Sequence, residues 1–411
     1  MAPHSSLTVA WIPDFGLEWL PDLPDAVRGL PRQHPLSWQR VLLSELEKEP
    51  RVRLHIVLLR STVGRSISFE RHGVMFHVVK FPAGWRSRSL YWLDTILIGR
   101  VLKRIKPDLV HAWGTEKGAG LVAHRLPYPH LLTVQGLVAW YLELVPMGLY
   151  WRFARQVEKY SLPRAPLVTT ESSVAVQYLQ RQFPALPVWQ VEHAPDWIFH
   201  RLERRPQTKP FRFLFVGTLC RRKGADLLIL ALDRLKDEMD FELRLIGQAE
   251  AGLLEELQAI TSKEIWKRVR SLGNLLPSEV AEELANVAIL LFPTRADTSP
   301  NAVKEAVVAG VPVVASNVGG ILDYVLPGQN GLLFPSDDLA AFVAAIREAC
   351  HHPSFSRGLV DPGALAKART YLSPANMSAR FVSAYEVLHA TFGKSKIESS
   401  VLPSMPSLSP P

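Results

Sequence analysis

Cysteine is scarce in this chain, and its scarcity excludes two kinds of stabilised fold. Only Cys220 and Cys350 occur among the 411 residues, and they stand far apart. They can supply neither a disulfide framework nor a cysteine-based metal knuckle. An Asp-x-Asp motif is also lacking, so the sequence implies no metal ion and no other cofactor. A reducing cytosol is therefore the expected compartment.

Long apolar runs are lacking as well. No stretch approaches the roughly 20 apolar residues that a membrane-spanning helix needs. The opening residues, MAPHSSLTVAWIPDFG, lack the charged start and long apolar segment of a signal peptide. These absences favour a cytoplasmic protein, whose contact with the inner face of a membrane would be peripheral.

The composition predicts two folded domains with a moderate excess of positive charge. Hydrophobic residues make up 47% of the chain, enough for two sizeable cores. The net charge is +8, but the basic residues are distributed and no nucleic-acid-binding motif is recognised. We therefore expect no nucleic-acid partner. An anionic membrane surface or a phosphorylated substrate fits the charge at least as well.

The most informative stretch runs from residue 292 to residue 334. Ser299 is typical of a helix N-cap, and Pro300 is typical of the first helical position. Residues 312–316 are apolar and largely β-branched, which predicts a short buried strand after this helix. The order is therefore strand, acidic loop, helix, strand, glycine loop and helix.

Two loops of this stretch should lie at the carboxyl ends of parallel strands, where open α/β sheets bind ligands. One loop carries Asp297, and the other is Gly319-Gly320. The N–H groups of Asn301, Ala302 and Val303 fall in the first helical turn, where they have no helical partners and can cradle a phosphate. This arrangement is typical of a site for a phosphorylated ligand.

A second carboxylate, Glu305, lies eight positions after Asp297, where it could accept hydrogen bonds from ribose hydroxyls. The pattern acidic-x7-acidic, continued by EAVVAGVPVVASNVGGILDYV, resembles the nucleotide-sugar site of retaining glycosyltransferases of family 4. That family usually has Glu-x7-Glu and a final glutamate, where this chain has Asp297 and Asp323. The match is specific over residues 297–333.

The resemblance implies an α/β protein with the GT-B fold, in which two Rossmann-like domains face a central cleft. The expected division is residues 1–200 for the acceptor side, 208–372 for the nucleotide-sugar domain, 373–392 for a helix crossing back to the first domain, and 393–411 for a disordered tail. It also implies transfer of a sugar from a nucleotide diphosphate sugar to a carbohydrate or lipid-linked acceptor, in polysaccharide or glycolipid assembly.

The resemblance also places a diphosphate-binding loop after the strand that ends at Gly217. Lys223 matches the family's lysine, whereas Thr218 stands where the family has arginine. Arg221 or Arg222 could supply the missing cation from the same loop, and two cations would stabilise the departing diphosphate. A separate loop near Leu275 resembles the one that reads the edge of the base.

In the first domain the resemblance assigns four residues to the sugar or acceptor side. Gly16 follows the first strand, Leu7–Ile12, and His111 lies in the strand KPDLVH. A buried structural role for His111 is the alternative. Glu116 follows that strand and could instead be a solvated residue at a helix start. Gln135 replaces a histidine of many relatives, so binding is expected of it rather than proton transfer.

An aromatic and basic helix is predicted over Tyr91–Ile105. Arg100, Lys103 and Arg104 lie near its end, where positive charge suits the helix dipole. Docking on a membrane surface is the alternative interpretation. Residues 150–155, YWRFAR, add a second aromatic and basic patch.

Two other functions share the predicted fold. A pseudoenzyme would bind a nucleotide sugar without turnover. An epimerase would change the sugar without any acceptor, and a phosphorylase would need a pyridoxal lysine and respond to phosphate. The donor sugar, its base and the acceptor are left open by the sequence.

Overall fold

Strands and helices alternate along most of the chain, in a computed structural model that describes residues 6–31, 36–144 and 148–392. The tail predicted for residues 393–411 lies outside the described residues. The strands are β1 (Leu7–Ile12), β2 (Val52–Arg60), β3 (Ile67–Arg71), β4 (Val74–Lys80), β5 (Leu109–Trp113), β6 (His130–Val134), β7 (Leu167–Thr170), β8 (Val188–Gln190), β9 (Phe211–Val216), β10 (Phe241–Ile246), β11 (Val269–Gly273), β12 (Ile289–Phe292), β13 (Val313–Ser316) and β14 (Gly331–Phe334). The α-helices are α1 (Ser37–Leu46), α2 (Trp85–Arg88), α3 (Trp92–Ile105), α4 (Ala119–His124), α5 (Val138–Leu144), α6 (Leu149–Ser161), α7 (Ser173–Gln182), α8 (Trp197–His200), α9 (Ala225–Leu235), α10 (Leu253–Ile260), α11 (Lys263–Lys267), α12 (Pro277–Asn286), α13 (Asn301–Ala309), α14 (Leu339–His351), α15 (Pro362–Tyr371) and α16 (Pro374–Phe392).

The chain divides into two compact units. The first contains the chain up to Glu171, then Ala175–His193 and the final helix α16, and the second contains Ser172–Val174 and Ala194–Ser373. Residues 194–200, predicted for the first domain, therefore belong to the second unit, because α8 packs against α13. Helix α16 packs on α1, β1, β5 and β6, as the predicted return to the first domain requires.

The first unit is built on an eight-stranded sheet in the order β3-β4-β2-β1-β5-β6-β7-β8. All neighbours are parallel except β3 and β4. From β1 the chain first adds strands on one side and then, from β5, on the other. The loops after β1 and β5 therefore lie at the switch point where such sheets bind ligands.

The second unit is built on a six-stranded parallel sheet in the order β11-β10-β9-β12-β13-β14. Here the strand order reverses between β9 and β12, which pair directly. The diphosphate loop predicted after β9 and the acidic loop after β12 therefore begin side by side. The switch-point rule places the binding site of this unit between them.

The inner strands β5 and β6 of the first sheet and β12 and β13 of the second are buried on both faces, as strands of parallel sheets with helical crossovers usually are. In the second unit the side chains of Phe213, Phe215, Leu243, Leu290 and Val314 are all 0–1% exposed. Such continuous apolar runs leave polar chemistry to the loops at the strand ends. None of the described helices has the length and apolar character that crossing a bilayer would require.

Candidate functional site

The loops after β9 and β12 are joined by backbone and side-chain hydrogen bonds. The backbone N–H of Arg295 donates to the carbonyl of Arg222 at 2.8 Å. The Arg222 guanidinium donates in turn to the carbonyl of Ala296, also at 2.8 Å. These bonds hold the predicted diphosphate loop against the predicted acidic loop, so the two halves of the candidate donor site form one structure.

Lys223 and Asp297 form an ion pair at the centre of this structure. The Lys223 ammonium donates to the Asp297 carboxylate, and the two side chains are only 17% and 10% exposed. Lys223 also lies 5.3 Å from the centroid of the Phe292 ring. Limited contact with water strengthens such a pair and raises the cost of leaving one partner alone. The cation and the acid, predicted to have separate roles, are therefore direct partners.

Of the two arginines that could supply a second cation, Arg222 is the better placed. Its guanidinium binds the carbonyl of Ala296, the residue before Asp297. Arg221 is 57% exposed and is engaged by the carboxylates of Asp226, at 3.4 Å, and Glu256. Arg222 is therefore the arginine of this loop that lies beside the Lys223–Asp297 pair.

Arg295 is a positioning residue that the sequence analysis did not identify. Its guanidinium binds both carboxylate oxygens of Asp226, at 2.7 and 3.0 Å. The same group donates to Asp337 at 2.6 Å and to the carbonyl of Arg221. A bidentate arginine–carboxylate pair fixes orientation as well as distance. The available signal was an arginine in the loop directly after a buried strand.

Two glycines allow the loops to approach closely. A Cβ atom on Gly224, whose φ is +74°, would lie 1.8 Å from the carbonyl oxygen of Pro293. A Cβ atom on Gly319, whose φ is +54°, would lie 1.8 Å from the carbonyl oxygen of Asp297. The N–H of Gly320 donates to the carbonyl of Thr298 at 2.6 Å. The predicted glycine loop is thus packed directly on the acidic loop, although its residues form a 3-10 turn rather than an α-helix.

Helix α13 begins one residue later than predicted. Its N-cap is Pro300, with an extended backbone, and its first residue is Asn301. Ser299 is buried and its hydroxyl lies 3.3 Å from that of Tyr324, so it is not the cap. The N–H of Val303 donates to the Pro300 carbonyl at 3.1 Å.

The first turn of α13 therefore differs from the predicted one. Because the N–H of Val303 already has a backbone partner, Asn301 and Ala302 are left as two of the three residues whose N–H groups were predicted to cradle a phosphate. Both residues are partly exposed, whereas Pro300 before them is buried. Phosphate binding at these two N–H groups stays a prediction.

Glu305 lies on the same helix in an environment that disfavours its charge. Burial raises the pKa of Glu305 to about 8; Lys304 opposes this shift and Asp196 adds to it. Asp196 caps α8 by accepting the N–H of Ile198 at 3.0 Å. The interaction between the carboxylates of Asp196 and Glu305 was not predicted from the sequence.

The remaining donor-side residues lie at the ends of their strands. Gly217 continues the backbone pairing of β9 by donating to Ile246 at 2.9 Å, and Thr218 beside it is exposed. Leu275 packs against the apolar core of the second unit. Leu275 is partly buried, and recognition of a base edge by the backbone there stays a prediction.

In the first unit, Glu116 and Gln135 come together at Gly114. A Cβ atom on Gly114 would lie 2.5 Å from Glu116 Oε2 and 3.8 Å from Gln135 Oε1. The neighbouring ion pair between Lys117 and Asp14 ties the loop after β1 to the loop after β5. Burial raises the pKa of Glu116 to about 7, and its own backbone N–H opposes the shift. A polar pair, of which Glu116 is the titratable member, thus lies at the switch point.

Glu158, on helix α6, holds the loop after β5 against the start of α5, and this role was not predicted from the sequence. Its carboxylate accepts the Thr115 hydroxyl at 2.6 Å and the N–H groups of Val138 and Ala139 at 3.1 and 2.9 Å. It therefore satisfies the first turn of α5 while holding the residue before Glu116. Its position within an aromatic and basic helix gave no sequence signal for this role.

His111 is not on the sugar side. Its side chain is fully buried, and its two ring nitrogens lie 2.8 Å from the Tyr385 hydroxyl and 2.6 Å from the Thr133 hydroxyl. The buried structural alternative is therefore correct. Gly16 is buried with a φ of −77°, a conformation open to any residue, so the backbone there does not require glycine.

No group of three or more His, Cys, Asp or Glu side chains in the described part of the chain is arranged to hold a metal ion. The expectation of a metal-free and cofactor-free site stays a prediction.

Two family models match consecutive parts of the chain. One, described as Glycosyltransferase Family 4, matches residues 42–206, and the other, Glycosyl transferases group 1, matches residues 210–352. Together they cover both units and the whole candidate donor site. The chain belongs to the family 4 glycosyltransferases. It is an enzyme of the glycosyltransferase class.

Characterised and uncharacterised relatives agree with this assignment. The glycosyltransferase is 26% identical over 271 residues to an uncharacterised glycosyltransferase of Methanocaldococcus jannaschii, covering 64% of this chain and 71% of the relative. It is 27% identical over 259 residues to a glycogen synthase of Mycobacterium tuberculosis, covering 61% of each chain. The match thus spans about three fifths of that curated relative.

Solved structures confirm the fold. The sucrose-phosphate synthase of Thermosynechococcus elongatus superposes with a TM-score of 0.76 at 18% identity, covering 94% of this chain and all of the other. HepE of Anabaena superposes with a TM-score of 0.66 at 16% identity, covering 92% of this chain and 99% of HepE. The α/β architecture with two parallel-sheet units is therefore that of the GT-B glycosyltransferases.

Proposed function

We propose that this glycosyltransferase moves a sugar from a nucleotide diphosphate sugar to a carbohydrate or lipid-linked acceptor, with retention of configuration. The observation that carries the proposal is the Lys223–Asp297 pair, held where the loops after β9 and β12 meet. A cation, a carboxylate and the N-terminus of α13 are gathered there. A negatively charged leaving group attached to a hydroxyl-rich sugar needs these three kinds of group.

The diphosphate is the group that the site stabilises as it departs. Lys223, Arg222 and the N–H groups at the start of α13 face its negative charge. Binding of the donor draws Lys223 from Asp297 toward the diphosphate, and the freed carboxylate orients the hydroxyls of the sugar. Glu305 holds the ribose, and the Gly319-Gly320 loop closes over the site.

Transfer forms a bond from the acceptor oxygen to the anomeric carbon while the bond from that carbon to the diphosphate breaks. The acceptor attacks the face that the diphosphate leaves, and the departing phosphate oxygen takes the acceptor proton. Retention follows because both events occur on one face. No strong protein base is required, which agrees with glutamine rather than histidine at position 135.

The acceptor contacts the first unit through Glu116 and Gln135. Their convergence at Gly114 supports this part of the proposal. A lipid-linked acceptor would also bring the enzyme into peripheral contact with the inner face of the membrane. Cys220 and Cys350 are both buried free thiols, as expected in a reducing compartment such as the cytosol.

The names of two similar proteins state a nucleotide sugar, and these names guide the choice of donors to test. HepE has been solved with UDP-glucose, and a mannosyltransferase of Mycolicibacterium smegmatis, 26% identical over 263 residues, is named as GDP-mannose-dependent. The loop near Leu275 reads a base through its backbone, which carries little side-chain identity. UDP-, GDP- and ADP-sugars are therefore equal candidates.

The test is donor turnover by the purified protein, read as release of nucleoside diphosphate from a panel of these sugars. We expect slow hydrolysis of one donor, lost in Lys223→Ala and in Glu305→Ala. Arg221→Gln is the matched control, because its exposed guanidinium already has carboxylate partners. Binding of one donor without release, with or without added saccharide and lipid acceptors, would favour the pseudoenzyme instead. Absence of both binding and release would contradict the donor site itself.

A further inference from the structure

Helices α2 and α3 of the first unit expose an unusual number of large apolar side chains. Trp85, Leu90, Trp92 and Ile96 are 52%, 54%, 54% and 49% exposed. Trp92 and Ile96 lie one turn apart on the same side of α3. Clustered exposed apolar groups mark interaction surfaces, whereas isolated ones are ordinary. We call these four residues, together with the basic residues of 85–106, the α2–α3 face.

The charge of this face has one sign. Residues 85–106 contain six basic residues and one acidic residue, Asp94. Asp94 is fully buried and is paired with Arg86 at 2.7 Å, so it does not present a negative charge to the outside. Arg125 adds a further cation, because its guanidinium lies 4.2 Å over the Trp92 ring and donates to the Leu90 carbonyl at 2.7 Å.

A pocket of about 350 Å³ opens on the flank of α3, between this helix and strands β3 and β4. Its helical side is Leu97, Arg100, Val101 and Arg104. Its strand side includes Ser68 and His77, whose side chains lie 2.9 Å apart. The pocket therefore combines apolar walls with two arginines and two neutral polar groups.

Arg100 and Arg104 are exposed, one turn apart, and neither has a carboxylate partner among the described residues. Glu70 is two residues after Ser68 on β3 and therefore on the same side of that strand, but it does not line the pocket. Two unpaired guanidinium groups above an apolar cavity suit a phosphate that is attached to an apolar chain, because guanidinium binds phosphate in two-point fashion.

We propose that the α2–α3 face docks on an anionic phospholipid bilayer, with Arg100 and Arg104 binding a lipid phosphate at the mouth of the pocket. Tryptophan is enriched at the level of lipid headgroups, and a helix with aromatic and basic residues on its outer side lies in the plane of the interface. Basic residues near an anionic leaflet each strengthen binding about fivefold. The proposal does not depend on the donor site, since it concerns a different surface and its test requires no turnover.

The test is co-flotation of the full chain with vesicles of phosphatidylcholine alone or mixed with phosphatidylglycerol. We expect binding to the mixed vesicles only, weakened by high salt. Arg100→Gln with Arg104→Gln should lower the partition coefficient on the order of thirtyfold, from two losses of about fivefold each. Trp92→Ser with Ile96→Ser should also release the protein. Arg234→Gln with Arg270→Gln removes the same charge from exposed positions of the second unit and should change little.

Three results would overturn the proposal. One is that the wild type does not float with the mixed vesicles. Another is that both double arginine variants lose binding equally, which would indicate net charge rather than this face. The third is that inorganic phosphate raises the melting temperature through Arg100 and Arg104, or that duplex DNA binds through them, while vesicles do not. Thermal unfolding of each variant separates loss of binding from loss of the fold.

Discussion

The charges of the donor site neutralise one another in the free enzyme. Lys223 and Asp297 are mostly buried partners, so each protects the other from an unpaired state. In the proposed function, a donor diphosphate has to compete with Asp297 for Lys223, and the carboxylate is released only when a donor is present. Substitutions at this pair should therefore change stability and activity by different amounts.

Removal of one partner should destabilise the protein more than removal of both. Lys223→Met leaves the Asp297 carboxylate uncompensated, at a cost of about 3 kcal/mol in the free energy of unfolding. Lys223→Met with Asp297→Asn should recover most of that loss, because the remaining groups are neutral. Donor turnover should fall at least about a hundredfold in both variants. The measurements are urea unfolding and nucleoside diphosphate release.

Arg221→Gln serves as the control for that cycle. Its side chain is 57% exposed, and exposed ion pairs contribute about 1 kcal/mol or less. A double variant as unstable as Lys223→Met would show that the ion pair does not carry the stability of these loops.

Glu305 should make the folded state less stable as the pH rises. Its pKa is raised from 4.5 to about 8, so the folded protein holds a proton that the unfolded chain has released. Stability is therefore full below about pH 4.5 and declines until about pH 8. The decline is about 1.4 kcal/mol for each pH unit over which the two states differ fully.

Glu305→Gln should remove this dependence. The variant should become more stable than the wild type as the pH approaches about 8, while donor binding weakens because the carboxylate that holds the ribose is gone. Thermal unfolding across pH, with calorimetric donor titration, gives both quantities. Asp196→Asn is the matched variant, and it should lower the pKa of Glu305 and so flatten the same curve in part. A wild-type curve parallel to that of Glu305→Gln would refute the raised pKa.

Residue positions, although not their roles, could be predicted where local spacing determines them. Asp297, Glu305 and Lys223 stand at fixed distances from glycines and strand ends, so their neighbourhood was readable from the sequence. Arg295 and Asp226 could not be paired in advance, because they are 69 positions apart and only the sheet order joins them. His111 was placed on the sugar side because strand alternation does not say which side chains face the interior.

At the scale of elements, the site depends on loops that touch backbone to backbone. Gly319 presses against the Asp297 carbonyl and Gly224 against that of Pro293. Neither contact leaves room for a side chain. The acidic loop is therefore held on two sides by close backbone contacts, one with the glycine loop and one with the loop that carries Lys223.

Gly319→Ala should damage the site through this contact. Its Cβ would lie 1.8 Å from the Asp297 oxygen, so the loop must move, and we expect a loss of about 3 kcal/mol in stability with a large loss of turnover. Gly328→Ala is the control, because Gly328 also has positive φ, at +75°, but no atom lies within 4 Å of its Cβ position. That variant should lose only the left-handed backbone penalty of about 1 kcal/mol.

Equal effects of the two substitutions would show that backbone strain, and not the collision with Asp297, controls the loop. The comparison is made by urea unfolding and by nucleoside diphosphate release on both variants.

Most helices and strands were predictable from runs of apolar residues and from the glycines that end them. Strand β1 was predicted with its observed ends, and the helix predicted over Tyr91–Ile105 begins one residue later, at Trp92. Strand β3 was missed because it is a short edge strand that alternates between partly buried and exposed residues. The cap of α13 was misplaced by one residue because serine and proline both suit the start of a helix.

At the scale of the whole molecule, the sequence pattern indicated two cores, but only the family resemblance predicted where the last helix belongs. Nothing local to α16 specifies its partner. The structure gives the reason for its position: Tyr385 on α16 accepts a hydrogen bond from the Trp11 indole at 3.0 Å and lies 2.8 Å from His111 Nδ1. One buried hydroxyl thus joins α16 to the first and fifth strands.

Tyr385→Phe should therefore weaken the first unit selectively. It leaves the Trp11 indole N–H and the Nδ1 atom of His111 each without the Tyr385 hydroxyl as a buried partner, which we expect to cost about 1–3 kcal/mol. Hydrogen exchange should rise in the strands of the first unit and in α16, whereas exchange in the second unit and nucleotide binding should stay unchanged. Ser383→Ala on the same helix is the control, because that hydroxyl bonds only to the Ala379 carbonyl of its own helix and alanine favours helices. Faster exchange throughout the second unit would mean that α16 stabilises the enzyme as one cooperative body instead of closing the first unit alone.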